Sequence, residues 1–199
     1  RIEEAIKQGL ADKEKSVRVV GIDLLSKTPM AEGLMIQLLS GVINTRSSEE
    51  KQAALLTLGN MKKGAGQVAL LEKQLDKMAA GTLPPDLLIE LAEAIDSSGS
   101  SALAGRFKEL SAKLSKDAST AAFAGALYGG NADRGRGIFF RNQAAQCIRC
   151  HAIDDYGGNA GPRLNEVSKR LSRNQLLEAL ISPDARLAPG FAMVTLRLK

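Results

Sequence analysis

Apolar residues recur every three or four positions through most of the first 130 residues of the chain. Clear groups lie in residues 17–25, 49–61 and 87–95, and the segments between them, 30–39 and 67–78, carry the same pattern. The first group comprises Val17, Val20, Gly21, Leu24 and Leu25. This spacing places apolar side chains on one face of an α-helix and therefore predicts a succession of amphipathic helices.

The main groups begin roughly 34 residues apart, which is typical of helix pairs that repeat along an α-solenoid. A tetratricopeptide repeat is disfavoured because the chain has no Trp and no aromatic residue before Phe107. The order Asp12, Val17-Arg18, Leu24-Leu25 is HEAT-like. We therefore predict a HEAT-like helical repeat domain over residues 1–130, with an irregular helical bundle as the alternative.

The character of the sequence changes after residue 130, and four of the seven aromatic residues lie beyond that point. Two short helices are predicted there, at 133–141 and at 172–181, the second capped by Ser172 and stopped by Pro183. Its apolar face comprises Leu176, Leu177, Leu180 and Ile181. The predicted fold is thus all-α, with a second domain over residues 131–199.

Between these helices lies the sequence Cys147-Ile148-Arg149-Cys150-His151. Cys-x-x-Cys-His is the attachment signature of a c-type haem, in which both thiols are bonded to the porphyrin and the histidine binds iron. The chain has no other Cys or His, so a four-ligand zinc site lacks a ligand. A thioredoxin-like dithiol lacks its βαβ context. The motif predicts one haem c, covalently bound through Cys147 and Cys150.

The residues offer several candidates for a sixth iron ligand. A second histidine does not exist, and Met193 is the only methionine after residue 130, 42 residues beyond His151. Thioether ligation raises the reduction potential, which suits an electron carrier. Packing of Met193 beside Phe191, ligation by Lys169 and an open sixth position stay as alternatives.

Other residues are expected to surround the haem. An axial histidine donates its second ring N–H to a nearby acceptor, and the carbonyl of Pro162 is the expected partner of His151. Leu164, Phe139 and Phe140 would form an apolar wall that excludes water. Neighbouring phenylalanines on one helix cannot both face one group, so one of them packs elsewhere.

The positive charge of the protein is concentrated in its second domain, which bears on the kind of partner it could bind. Residues 132–199 contain 11 basic and 6 acidic side chains, which accounts for the whole net charge of +5. The arginines are not interleaved with aromatic residues, so we expect no nucleic-acid partner. A solvated basic face and a docking face for an acidic partner both remain open. No uncharged run is long enough to span a membrane.

The chain begins at Arg1 and ends in an alternating apolar pattern over residues 194–199. Both ends suggest a piece of a larger polypeptide. Because haem is attached in this way outside the cytoplasm, we expect an export signal upstream and a periplasmic or otherwise exported protein.

Residues 132–199 resemble a small class I cytochrome c in the order and spacing of 135–140, the haem motif and Gly161-Pro162-Arg163-Leu164. More narrowly, they resemble the C-terminal haem-binding domain of large multidomain proteins of planctomycetes and verrucomicrobia. Those proteins join a sugar-dehydrogenase-like β-propeller, HEAT repeats and a cytochrome domain. Further features of the resemblance are Pro183-Asp184 after the last helix and the run 188–191.

The resemblance implies thioether attachment at Cys147 and Cys150, axial ligation by His151 and a supporting carbonyl at Pro162. The resemblance also implies Met193 as the second axial ligand, although the proline that usually follows this methionine in small cytochromes is replaced here by Val194. Arg163 stands where the family motif usually has a polar or acidic residue, which would alter contacts with solvent or with a haem propionate.

These observations predict an electron-transfer protein that relays electrons from a fused or docked dehydrogenase to a downstream acceptor. No residue of the first 130 suggests catalysis, so we expect a non-catalytic module of a larger oxidoreductase. Two alternatives stay open. One is a haem peroxidase or a gas- or ligand-binding sensor with an open sixth position, and the other is a helical-repeat scaffold that binds a protein.

Overall fold

The computed structural model describes residues 2–114, 121–127, 129–192 and 197. The described residues are mostly helical, which agrees with the predicted all-α class, and they include one two-stranded sheet. The chain divides into two compact units, Arg1–Gly130 and Asn131–Lys199, at the position where the sequence changes character. Among the described helices, none is long and apolar enough to cross a membrane.

The described residues of the first unit form seven α-helices and two 3₁₀-helices. The α-helices are α1 Ile2–Leu10, α2 Lys15–Leu25, α3 Glu32–Thr45, α4 Ser48–Gly59, α5 Ala65–Ala79, α6 Leu88–Ser98 and α7 Ser101–Ser111. The 3₁₀-helices are Pro85–Leu87 and Ala121–Leu127. Each helix predicted from the apolar pattern is present, and Pro85 stands in the first turn of its 3₁₀-helix, where a missing N–H costs nothing.

The second unit has shorter elements. Its helices are α8 Ala132–Arg141, α9 Cys147–Cys150, α10 Val167–Arg170 and α11 Arg173–Ile181. Strands β1 Ala152–Ile153 and β2 Tyr156–Gly157 pair antiparallel, with Ile153 opposite Tyr156. Ser172 caps α11 by accepting a hydrogen bond from the N–H of Gln175, as its sequence predicts.

Helix α4 lies at the centre of the first unit and packs against α2, α3 and α6. Leu55 and Leu58 of α4 are fully buried. Fully buried leucines of α2, α3, α5 and α6 belong to the same apolar cluster: Leu25, Leu39, Leu71, Leu75 and Leu91. Burial of each such side chain contributes about 1.5–3 kcal/mol, so these leucines are a large part of the stability of the unit.

The buried face of α2 differs from the apolar pattern of its sequence. Val17 is 42% exposed, Val20 is 56% exposed and Leu24 is 43% exposed. Gly21 and Leu25 are buried, and so is Ile22, which does not belong to the apolar group predicted from the sequence. Helix α2 packs on both α1 and α4, and these contacts select the face that carries Ile22. Spacing alone does not distinguish this face from the adjacent one.

A partly buried ion pair joins the start of α2 to the start of α4. The Arg18 Nε donates to Glu50 Oε1 at 2.6 Å, and Arg18 Nη1 donates to the carbonyls of Asp12 and Lys13, both at 2.9 Å. Glu50 also accepts hydrogen bonds from the hydroxyl and from the N–H of Ser47, and the bond from the N–H belongs to a capping box at the start of α4. The Arg18 guanidinium, helped by Ser47, lowers the pKa of Glu50 to about 2.

We predict that Glu50→Gln lowers the melting temperature of the first unit at pH 7 by about 2–6 °C. Because the folded pKa of Glu50 is depressed, its stabilising effect is present above the ordinary value of 4.5 and disappears as the pH falls to about 2. The variant should therefore lose stability less steeply over this interval than the original chain, as measured by circular dichroism melts at several pH values.

Glu49→Gln is the matched control. Glu49 is paired with Lys15 on the exposed surface, where an ion pair contributes little. Equal pH dependence in the Glu50→Gln variant and the original protein would contradict the assignment.

Candidate functional site

The Cys-x-x-Cys-His segment forms a single helical turn followed by an extended residue. Helix α9 spans Cys147–Cys150, and the N–H of His151 donates to the carbonyl of Cys147 at 3.0 Å. Residues three apart on a helix lie on the same face, so the turn presents both thiols to one side. Both cysteines are free, Cys147 half-buried and Cys150 exposed. The thiols are therefore available for bond formation.

Residues just before α9 fix where the turn begins. The side-chain oxygen of Asn142 accepts hydrogen bonds from the N–H groups of Ala144 and Ala145, both at 2.9 Å. Gln146 has a left-handed backbone with a φ of 46°, and its N–H donates to the carbonyl of Asn142 at 3.0 Å. This capped loop connects α8 to the cysteine turn and sets its direction.

The imidazole of His151 is held by the peptide that follows Gly161. Its Nδ1 lies 2.9 Å from the carbonyl oxygen of Pro162, the partner expected from the sequence. Because a carbonyl only accepts, Nδ1 donates this hydrogen bond, and in the neutral imidazole Nε2 is then the ring nitrogen with a free lone pair. The N–H of Gly161 also donates to the carbonyl of Cys150 at 2.7 Å.

Two glycines permit the close approach of this peptide to the Cys-His turn. A Cβ on Gly161 would lie 2.6 Å from His151 Cε1 and 2.8 Å from Nδ1. A Cβ on Gly158 would collide with the carbonyl oxygen of Arg149. The Gly158 N–H instead donates to the carbonyl of Ile148 at 2.9 Å. Any larger residue at these positions must push the two segments apart.

Phe139 and Phe140 pack against each other rather than side by side on one surface. Their ring centroids are 5.0 Å apart with an interplanar angle of 77°, an edge-to-face contact. The Arg136 guanidinium covers the Phe140 ring at 5.0 Å from the centroid. Helix α8, which carries both rings, packs against α9. Both rings are half-buried.

Leu164 and Arg163 are anchored by the hairpin. The N–H of Leu164 donates to the carbonyl of Ala152 at 2.9 Å, and the leucine is half-buried. Arg163 Nη2 donates to the carbonyl of Asp154 at 2.6 Å and lies 3.8 Å from the Asp155 carboxylate. The arginine at this position is therefore paired with the hairpin turn.

The second unit buries few apolar side chains. Among its described residues, the buried apolar side chains are Ala152 and Leu177. Large apolar side chains left exposed include Ile138, Tyr156, Leu180, Leu187 and Phe191. Leu180, expected on the apolar face of α11, is 81% exposed, because Leu177 provides the buried contact of that helix. The described side chains of this unit do not close a core like that of the first unit.

A cavity of about 650 Å³ lies beside Gly161 and Pro162. Ala188, Pro189 and Phe191 line it with apolar surface, and Arg163 and Arg170 line it with positive charge. It is large enough for an organic cofactor. Its lining suits a ligand with an apolar body and negatively charged groups.

Met193 and Lys169 are the two side chains that the sequence offers as a sixth iron ligand, and the structure describes one of them. Met193 lies outside the described residues, so its ligation remains a prediction. Lys169 is exposed, and its Nζ donates to Glu166 Oε1 at 2.6 Å. Across the described ranges, no three His, Cys, Asp or Glu side chains cluster to hold a metal ion on their own.

Several residues that shape this site were not flagged by sequence reasoning, namely Asn142, Gln146, Asp154, Asn165 and Arg170. Asn and Asp favour turns because their side chains hydrogen-bond nearby backbone groups. The pair Asp154-Asp155 between two short apolar runs is a signal that could have predicted the hairpin. The roles of Asn165 and Arg170 depend on contacts that no local pattern shows.

Comparison with family models, with curated proteins and with solved structures finds no match to this chain.

We predict that Gly161→Ala displaces the His151 ring and breaks its hydrogen bond to Pro162, because the added Cβ would overlap the imidazole. The ¹⁵N resonance of Nδ1 should shift, and the thermal unfolding temperature of the second unit should fall. Gly135→Ala is the control, since a Cβ there meets nothing within 4 Å and alanine favours the helix. An unchanged Nδ1 resonance in Gly161→Ala would refute the close contact.

Proposed function

We propose that the second unit carries one c-type haem, bound covalently through Cys147 and Cys150 with His151 as an axial ligand, and that the protein transfers electrons. The hydrogen bond from His151 Nδ1 to the Pro162 carbonyl is the observation that carries this proposal. It fixes the tautomer and ring orientation that an axial histidine requires and leaves Nε2 for the iron.

The surrounding residues fit such a group. Two free thiols stand three residues apart on one helical turn, directly before the histidine. The neighbouring cavity combines apolar surface with two arginines, which suits a macrocycle that bears two propionates. The exposed apolar side chains of the unit can cover a large apolar cofactor, which would supply burial that Ala152 and Leu177 alone do not.

The haem, when bound, supplies one-electron redox chemistry at iron. The residues of this chain perform the supporting tasks. Cys147 and Cys150 would anchor the group, and His151 Nε2 would bind the metal. Pro162 holds the ring proton on Nδ1. Leu164 and one of the two phenylalanines of α8 would exclude water, and Met193 would supply a further ligand, which would raise the potential toward that of an electron carrier.

We further propose that the second unit is a small cytochrome c domain of class I type and that the first unit is a HEAT-like helical repeat domain. The packing of α4 against α2 and α6, with a layer of buried leucines, supports a stack of helix pairs. In this arrangement the repeats hold a redox partner or a fused dehydrogenase domain, in the periplasm or another exported location. The excess of basic residues after position 131 favours an acidic protein partner.

We expect the protein, exported from a host that matures c-type cytochromes, to retain haem on a denaturing gel. The Cys147→Ser/Cys150→Ser double variant should retain none, because both thioether bonds are lost. Arg149→Lys, which changes a residue between the thiols but keeps both of them, should retain haem like the original. Absence of covalent haem in the original protein would refute the haem proposal and favour a protein-binding scaffold.

Met193→Ala should convert a low-spin haem spectrum to a high-spin one, abolish the weak long-wavelength sulfur-to-iron band and lower the reduction potential. Met78→Ala in α5 is the control and should leave the spectrum unchanged. A high-spin spectrum in the original protein would instead favour ligand binding or peroxide chemistry. A low-spin spectrum that survives Met193→Ala and changes in Lys169→Ala would assign the ligand to lysine.

A further inference from the structure

We propose that Asp154 and Asn165, secured by Arg163 and Arg170, form a positioning network that holds the Pro162 carbonyl against His151 and thereby tunes the iron ligand. This inference rests on the proposed function, because its redox consequence requires the haem. The residues do not contact the imidazole themselves but act through the peptide that carries Pro162.

Asp154 and Asn165 form a reciprocal pair of hydrogen bonds. The Asp154 N–H donates to Asn165 Oδ1 at 3.0 Å, and Asn165 Nδ2 donates to Asp154 Oδ1 at 2.8 Å. Asp154 has a left-handed backbone with a φ of 54°, which Asp and Asn tolerate better than most residues. The pair therefore ties the turn of the β1–β2 hairpin to the residue that follows Leu164.

The two arginines direct their side chains at backbone carbonyls. Arg163 Nη2 donates to the carbonyl of Asp154 at 2.6 Å, which reinforces the link to the hairpin turn. Arg170 Nη2 donates to the carbonyls of Arg163 at 2.8 Å and Asn165 at 3.2 Å. One guanidinium thus holds the carbonyls on both sides of Leu164 in place.

Pro162 depends on these neighbours for its position. Proline has no N–H and cannot anchor itself through a backbone donor. The N–H of Gly161 is bonded to Cys150, and the N–H of Leu164 is bonded to Ala152. With Arg163 and Asn165 also held, every residue around Pro162 is attached to the hairpin, the Cys-His turn or α10. The carbonyl of Pro162 is thereby aimed at His151 Nδ1.

The side chains of this network are largely exposed, so we expect it to fix the position of Pro162 and to add little to the stability of the fold. Exposed pairs contribute about 0–1 kcal/mol to stability. A hydrogen bond on the distal ring nitrogen makes an axial imidazole a stronger donor to iron and favours the ferric state. Loosening the network should therefore raise the reduction potential and expose the Nδ1 proton to solvent, with little change in melting temperature.

The test uses the haem-bearing protein and the ferrous state, in which the His151 Nδ1 proton is observed by NMR. We expect Asn165→Ala to speed exchange of that proton with D₂O by about threefold to tenfold, which corresponds to loss of one ordinary hydrogen bond. The reduction potential should rise in parallel. Asn174→Ala makes the same substitution on the exposed face of α11 and should change neither quantity.

An exchange of the two side chains distinguishes positioning from a general structural effect. Asn165→Asp alone places two carboxylates opposite each other and should resemble Asn165→Ala. Adding Asp154→Asn to it restores one donor and one acceptor across the pair, with the roles reversed. The double variant should return both proton exchange and reduction potential to the original values.

The inference is overturned if Asn165→Ala leaves proton exchange and potential unchanged while haem stays attached, or if the exchanged pair restores neither. Absence of covalent haem in the original protein is a separate result that refutes the proposed function. The proposed function is therefore tested on the original protein, and the positioning network is tested on the haem-bearing variants.

Discussion

The second unit depends on the close approach of two backbone segments, the Cys-His turn and the glycine-containing stretch from Gly157 to Asn165. Hydrogen bonds from Gly158 to Ile148 and from Gly161 to Cys150 bring the segments together, and glycine leaves room for them. The bond between His151 and Pro162 is a consequence of this approach. Without it the histidine would have neither a fixed ring orientation nor a defined tautomer.

The two units are stabilised in different ways. The first contains one apolar cluster with fully buried leucines from five helices, and its helices are stabilised by burial of their apolar faces. In the second, the described elements are short and are held by caps and by side-chain hydrogen bonds to the backbone. Asn142 accepts such bonds from N–H groups, and Arg170 donates them to carbonyls. A unit of this kind can gain much of its burial from a bound group, which is the role we propose for haem.

The features that sequence reasoning predicted rest on local rules. Helical spacing, the Ser172 cap and the turn residues near position 130 each act over a few residues, so they could be read directly. The partner of His151 was also predicted, since Pro162 lies in a short motif near the cysteines. The exposed Val17, Val20 and Leu24 show the limit of the same rules, because a helix with apolar residues on two adjacent faces does not reveal which one its neighbours cover.

The sequence by itself determined the chemistry available to this protein: two thiols and one histidine within five positions, in a chain with no other such groups. It also determined the helical class, because periodicity is a property of the chain alone. Only the tertiary structure decided that Asp154, Asn165 and Arg170 converge on the peptide beside that histidine. Their hydrogen bonds join residues 5 to 11 positions apart, some between side chains and some from a side chain to a backbone carbonyl. Such partners depend on how the chain folds back rather than on residue type.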